Sequence, residues 1–234
     1  MSVISSNLQA VHGAIDAAAQ AVSRLPHSIT LLAVSKTFDA RTVLEAAAAG
    51  QRAFGENYLQ EALDKIAAVR LAQPELILEW HFIGPIQSNK TRPIAESFDW
   101  VHSVEREKIA RRLSDQRPAG LPPLNICLQV NISGEASKSG VPAGEALAVA
   151  QAIAAMPRLC LRGLMAIPEP TTVVAEQRAA FRQLHVLFDQ CRAAGLPLDT
   201  LSMGMSSDLP AAIAEGATIV RVGTAIFGAR TYAH

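Results

Sequence analysis

The sequence predicts an α/β chain folded as a single-domain (β/α)8 TIM barrel, residues 1–234, with an additional N-terminal helix. Three observations carry that expectation. Short, near-continuous apolar runs alternate with longer runs of helical period, eight times over. Strands that are apolar along their whole length belong in a parallel sheet with helices outside it. A chain of 234 residues with 50% hydrophobic content has the size and core of a compact barrel of this kind. A doubly wound open sheet shows the same alternation, and periodicity alone does not separate the two.

The first 24 residues, rich in Ala and Gln, read as an amphipathic helix. They lack the basic start and apolar centre of a signal peptide. Strands are expected at 30–35, 53–55, 76–83, 100–103, 124–131, 161–167, 200–202 and 218–222. Helices are expected at 40–49, 58–71, 90–97, 105–116, 143–156, 173–194 and 209–215. Gly50, Gly195 and Gly216 each follow a helix, where a left-handed cap belongs. Asp208 precedes Leu209-Pro210 and reads as the N-cap of the last helix. The Gly/Ser/Lys-rich stretch 133–144 follows the fifth strand and reads as a long loop over the active face. No Pro/Ser-rich linker divides the chain, so one domain is expected.

Bulk composition excludes several function classes. Net charge is zero and the pI is near 7, so no basic surplus is available for nucleic-acid phosphates. No apolar run approaches the length of a membrane span. Cys127, Cys160 and Cys191 are odd in number and far apart, as expected of buried thiols in a reducing cytoplasm. The six histidines show no metal-ligand spacing, so no metal is expected.

The chemistry concentrates at the C-terminal ends of the expected strands, where barrels of this class carry their active sites. Lys36 ends the apolar run 29–35. A lysine anchored on a buried strand can lose its proton near neutral pH and attack an aldehyde. The alternative is a strand-end lysine that snorkels to solvent. The other four lysines (Lys65, Lys90, Lys108 and Lys138) are expected in polar or helical surroundings, in water. The seventh strand exits into Ser202-Met203-Gly204-Met205-Ser206-Ser207-Asp208, and the eighth into Arg221-Val222-Gly223-Thr224. Small and hydroxylated residues there suit an anion, because backbone N–H groups can approach it closely; ordinary turn chemistry reads the same way. Strand eight adjoins strand one in a closed barrel, so one phosphorylated aldehyde could reach both Lys36 and the anion loops. Pyridoxal 5′-phosphate meets that description.

These strand ends also carry a resemblance. Ala33-Val34-Ser35-Lys36, Phe54-Gly55-Glu56-Asn57-Tyr58 and the run from Trp80 to Lys90 resemble the pyridoxal phosphate homeostasis proteins, which are similar to the N-terminal barrel of alanine racemases. Gly163-Leu164-Met165, the run from Ser202 to Asp208 and the run from Val220 to Gly228 extend the likeness over nearly the whole chain. The resemblance implies a fold-type III barrel with pyridoxal 5′-phosphate held as an aldimine on Lys36. It also implies a role in vitamin B6 supply without robust turnover.

The resulting cofactor-binding set is Lys36, Asn57, His81, Met165, Ser202, Ser206, Arg221, Gly223 and Thr224, with Ser207 as a helper and no catalytic residue assigned. Arg221 is expected beside either the pyridine ring or the phosphate. His81 reads first as a satisfied core histidine and second as a site residue, and Asn57 equally as a loop anchor or a partner of the cofactor's phenolate oxygen. Alanine racemase needs a second domain and an opposing tyrosine. Here the chain is expected to end after the eighth unit, and Tyr58 and Tyr232 both lack that context. The expected protein is therefore a cytoplasmic carrier or buffer of the cofactor, with apo-enzymes as recipients and neither nucleic acid nor membrane as partner. A pyridoxal-phosphate-dependent racemase and a cofactor-free Schiff-base aldolase are the alternatives.

Overall fold

The computed structural model describes residues 2–134 and 139–229. Lys138 (within the expected 133–144 loop), Tyr232 and His234 lie outside the described residues. The strands are β1 (Thr30–Val34), β2 (Ala53–Glu56), β3 (Glu79–Phe82), β4 (Trp100–Val104), β5 (Leu124–Asn131), β6 (Val141–Pro142), β7 (Leu159–Met165), β8 (Thr200–Ser202) and β9 (Ile219–Val222). Every pairing is parallel. β1 pairs with both β2 and β9, and β4 pairs with β5, so eight strands close in chain order into a barrel. The two-residue β6, which periodicity is too short to register, adds to β5 alone. The open-sheet alternative is thereby excluded.

The helices are α1 (Val3–Ala21), α2 (Ala40–Ala48), α3 (Leu59–Ala72), α4 (Thr91–Ser97), α5 (Glu107–Gln116), α6 (Ala146–Ala154), α7 (Val174–Ala193), α8 (Leu209–Ala214) and α9 (Thr224–Phe227). α1 starts at Ser2, whose hydroxyl accepts from the Ser5 N–H, and buries Leu8, Val11, Ile15 and Ala19 at helical spacing. It lies across α8 and α9: Arg24 Nη1 donates to Ile213 O at 2.8 Å and Asn7 Nδ2 to Ile226 O at 2.9 Å. The Asp39 carboxylate caps α2 by accepting from the Thr42 N–H. Gly50, Gly195 and Gly216 take positive φ where the helices end.

Three boundaries depart from expectation for identifiable reasons. The strand expected at 76–83 starts at Glu79, because its neighbour β2 starts at Ala53, which is Glu79's register partner. Leu76, Ile77 and Leu78 have no ladder to join, and Ile77 is 86% exposed. The helix expected at 143–156 shortens to α6, its first turn tightening to 3-10 geometry after Pro142. α9 is a single turn, too short to leave a periodic signature.

Outward-facing strand residues pack under the helices, with aromatic pairs such as Phe54–Trp80 and Phe82–Phe98 at 5.8 and 5.2 Å. Inside the barrel a smaller apolar cluster gathers Leu32, Ala53, Trp100, Cys127, Met165 and Ile219. Polar residues His81, His102, Ser202 and Arg221 are buried on the same strands, with Leu32 opposite Arg221, Met165 opposite Ser202 and Trp100 opposite His81. Close strand packing explains Gly163 on β7, where a Cβ would overlap the carbonyl of Thr200 on β8. Gly163→Ala should therefore force β7 and β8 apart and cost roughly 3 kcal/mol, read as a lowered denaturation midpoint with an unchanged slope.

Candidate functional site

A cavity of about 330 Å³ opens at the C-terminal mouth of the barrel, between the ends of β1, β2, β8 and β9. Six of the nine expected residues line it: Lys36, Asn57, Ser206, Arg221, Gly223 and Thr224. Ser207 joins them, and Val34, Phe38, Ile83, Ile167 and Met205 supply apolar wall. The register of β1 on β9, with Ala33 opposite Val222, brings Lys36 beside the Gly223-Thr224 turn. His81, Met165 and Ser202 do not line the cavity. Met165 is fully buried in the inner apolar cluster, and His81 and Ser202 lie beneath the cavity in the barrel interior.

Lys36 stands on a turn held from below. The Lys65 ammonium donates to Ser35 O at 2.8 Å, to Glu56 Oε1 at 2.6 Å and to Glu61 Oε1 at 3.0 Å, which uses all three of its protons. Ser35 Oγ also donates to Glu56 Oε1, at 2.6 Å. The second Glu56 oxygen is buried without a partner among the described residues. Burial holds the Glu56 carboxyl above its ordinary range and outweighs the pull of Lys65. Lys65 thus departs from the solvated setting expected of it: it is 4% exposed and belongs to the scaffold of the site. Thr37 takes φ +71°, rare for a β-branched residue, and its N–H donates to Glu61 Oε1 at 2.6 Å. Phe38 then packs on Phe227 of α9, ring centroids 5.1 Å apart, so the Lys36 turn and the last helix share a wall.

Asn57 follows β2, and its side-chain oxygen is buried with no hydrogen-bond partner among the described residues. An unpaired buried acceptor on a cavity wall is a place where a ligand donor belongs. Gly84 packs so closely on the Asn57 backbone that a Cβ would overlap its carbonyl, and Ser103 Oγ holds Gly84 O at 2.5 Å. Across the cavity the chain leaves β8 through Gly204, at φ +94°, whose carbonyl accepts from the Arg221 N–H at 2.9 Å. Asp208 stands at the N-cap position of α8, the ordinary turn reading of this loop, but its side chain makes no cap bond. Its carboxylate turns back to accept from the Met205 N–H at 2.5 Å, closing the loop that presents Ser206 and Ser207. The hydroxyls of Ser206, Ser207 and Thr224 lie at the exposed rim.

Arg221 is 5% exposed; burial lowers its pKa to about 10, so it stays protonated at neutral pH. Its Nη1 donates to Ser202 Oγ at 2.8 Å and its Nη2 to Ala166 O at 3.0 Å. From Ser202 a buried chain continues. His102 Nδ1 lies 2.7 Å from Ser202 Oγ, His102 Nε2 lies 2.8 Å from His81 Nδ1, and His81 Nε2 lies 2.6 Å from Glu79 Oε1. Burial holds His102 well below the ordinary histidine range, with the charge of Arg221 adding to it. The bond from His81 holds Glu79 below the usual carboxylate range. His102, Glu79, Lys65 and Glu56 were not in the expected site. Inward parity was the available signal: His81 and His102 sit at alternating positions with Trp100 on strands buried on both faces.

The donor set fits an anionic aldehyde cofactor: a lysine, a buried arginine, an orphaned amide oxygen and a hydroxyl-rich rim face one cavity. Comparisons with known proteins point the same way. Residues 7–231 match the family described as alanine racemase, N-terminal domain. The chain is 63% identical over 232 residues to the pyridoxal phosphate homeostasis protein of Pseudomonas aeruginosa, covering 99% of this chain and 98% of that one. It is 55% identical over 234 residues to the protein of the same name from Escherichia coli, covering 99% of each. The structure of PipY from Synechococcus elongatus, solved with pyridoxal phosphate bound, superposes with a TM-score of 0.83 at 38% identity, covering 96% of this chain and 100% of that one.

The Lys65–Glu56 pair generates a stability prediction. Lys65→Met should strand the Glu56 carboxylate in the core and cost ~3–5 kcal/mol in chemical denaturation. Adding Glu56→Gln to that variant should restore part of the loss, because no buried charge then remains. Additive losses in the double variant would show that the two side chains do not act as a pair.

Proposed function

Because the chain belongs to the pyridoxal phosphate homeostasis protein family, built on the alanine racemase N-terminal domain, we propose that it binds pyridoxal 5′-phosphate in this cavity, with Lys36 as its covalent partner, and holds, buffers or hands on the cofactor without robust turnover. One observation carries this reading: a single cavity presents the Lys36 amine together with the loops that follow β8 and β9. When bound, the cofactor supplies an aldehyde carbon onto which a primary amine condenses with loss of water. Lys36 is the amine on the cavity wall, and Lys65, Glu56 and Glu61 fix the turn that carries it. Ser206, Gly223 and Thr224, helped by Ser207, would hold the phosphate at the rim. The unpaired Asn57 oxygen would accept from a protonated ligand oxygen.

The absence of turnover is argued from the cavity wall. Among the described residues that line it, Lys36 and Arg221 are the titratable ones. Tyr58 is 52% exposed and outside the wall, and His81 and His102 are buried beneath it. The described wall thus offers one proton-transfer group besides the charged Arg221, and a racemase needs one on each side of the reacting carbon. Arg221, charged at neutral pH, disfavours protonation of any ligand nitrogen beside it and so weakens an electron sink there. A cytoplasmic setting suits the three free cysteines. No helix among the described residues is long and apolar enough to cross a membrane. Apo-enzymes that use the cofactor are the recipients this role calls for.

Two measurements test the proposal. Borohydride reduction of the yellow protein, followed by peptide mapping, should place the pyridoxyl mass on the peptide containing Lys36, and Lys36→Ala should lose the visible band. Label on Lys65 or another lysine would refute the assignment. The second measurement follows α-carbon exchange of single L- and D-amino acids in deuterated water, alongside release of cofactor to an apo-enzyme. Exchange far slower than about one per second, together with release, is expected. Exchange at or above that rate would make the protein a racemase.

A further inference from the structure

One arrangement of protons pairs every donor beneath the cavity with an acceptor. Arg221 can only donate, so its Nη1–H takes one lone pair of Ser202 Oγ. Among the described residues the other partner of Ser202 Oγ is His102 Nδ1. His102 Nδ1 is the one described partner able to accept the Ser202 O–H, so the arrangement that leaves no hydroxyl proton unpaired has Nδ1 bare. The proton of neutral His102 is then on Nε2, pointing at His81 Nδ1, 2.8 Å away. His81 Nδ1 accepts it, so the His81 proton is on Nε2 and donates to Glu79 Oε1. The bonds run in one direction, from a group that can only donate to a carboxylate that can only accept. Both ends impose the same direction. His81 stacks on Trp100 at an interplanar angle of 7°, which fixes its ring plane.

We propose that His102, backed by His81 and Glu79, is a positioning residue for Arg221: it takes up the Ser202 hydroxyl proton, so that the Ser202 oxygen presents a lone pair to the guanidinium on the cavity wall. Without that acceptor the Ser202 O–H has no partner in the barrel interior. It would then compete for space with the Arg221 N–H and loosen the arginine's hold. Glu79 is the open end of the relay, its side chain 47% exposed, at the mouth of the barrel opposite the cavity. The burial that keeps His102 neutral agrees with this arrangement.

The test has two arms, and only the second rests on the binding reading above. In the first, the ring nitrogens of His81 and His102 are observed by 15N NMR in the cofactor-free full chain. Both should be neutral with the proton on Nε2. An Nδ1–H tautomer or a cationic ring at His102 would overturn the relay. In the second, affinity for pyridoxal 5′-phosphate is measured by absorbance for His102→Asn and His102→Leu. An asparagine oxygen can occupy the place of Nδ1 and still accept from Ser202, whereas leucine cannot. His102→Leu should bind about tenfold more weakly and His102→Asn within about twofold of the parent, in proportion to one lost hydrogen bond. Equal weakening by both variants would reduce His102 to a packing role and overturn the proposal. If the leucine variant does not fold, the tautomers of the parent chain decide the matter. If the parent chain takes up no cofactor, the binding reading fails and the first arm still tests the relay.

Discussion

The ladder between β1 and β9 is the contact on which the site depends. These strands are separated by most of the chain, yet their register sets Ala33 opposite Val222 and thus Lys36 beside Gly223 and Thr224. Closure is what makes Lys36 and the loops after β8 and β9 parts of one cavity rather than the two edges of a sheet. Slippage by one residue would turn Arg221 from the interior to the helix layer, because side-chain direction alternates along a strand. α1 reinforces the closure from outside, with Arg24 and Asn7 bonded to carbonyls of Ile213 and Ile226 just before and after β9.

Polar groups inside the barrel carry the second constraint. A barrel of this kind commonly fills its interior with branched apolar side chains. Here apolar filling is confined to a small cluster, and a charged arginine, two histidines and a serine are buried beside it. Such a set is stable only when each member is paired, since an unpaired polar group in a low-dielectric interior is costly. The chain from Arg221 to Glu79 meets that condition in one direction only, which gives it orientation as well as stability. The Lys65–Glu56–Ser35 cluster is the counterpart beneath Lys36, and it leaves one Glu56 oxygen unpaired. Both clusters spend buried hydrogen bonds on holding a cation-bearing segment in place at the cavity wall.

The cavity combines a buried floor with an exposed rim: the hydroxyls of Ser206, Ser207 and Thr224 are exposed, while Arg221 and the Asn57 oxygen are buried. A ligand with an anionic end and an aldehyde end is therefore oriented by burial as much as by charge. Its anion can stay near water at the rim while its other polar atoms meet desolvated partners deeper in. That division suits a protein that retains a cofactor and still exchanges it.

By itself the sequence determined the strand–helix alternation, most strand positions and the strand-end segments that carry Lys36, Ser206 and Gly223, because these follow from local patterns: continuous apolar runs, glycine at helix ends, small residues before a helix. The family likeness was legible for the same reason, as its motifs are short and contiguous. Tertiary structure decided what local pattern cannot encode. It sent Asp208 back onto Met205 instead of into a helix cap, and started β3 only at Glu79 because β2 offered no earlier partner. It buried Lys65, whose helical spacing resembles that of any solvated lysine, because Glu56 and Ser35 arrive from other elements to satisfy it. It moved His81 and Ser202 from the cavity wall to the layer beneath and joined them through His102. Hydrogen bonds between residues as far apart in sequence as His102 and Ser202 exist only once the barrel closes, so their partners are a property of the fold and not of any segment.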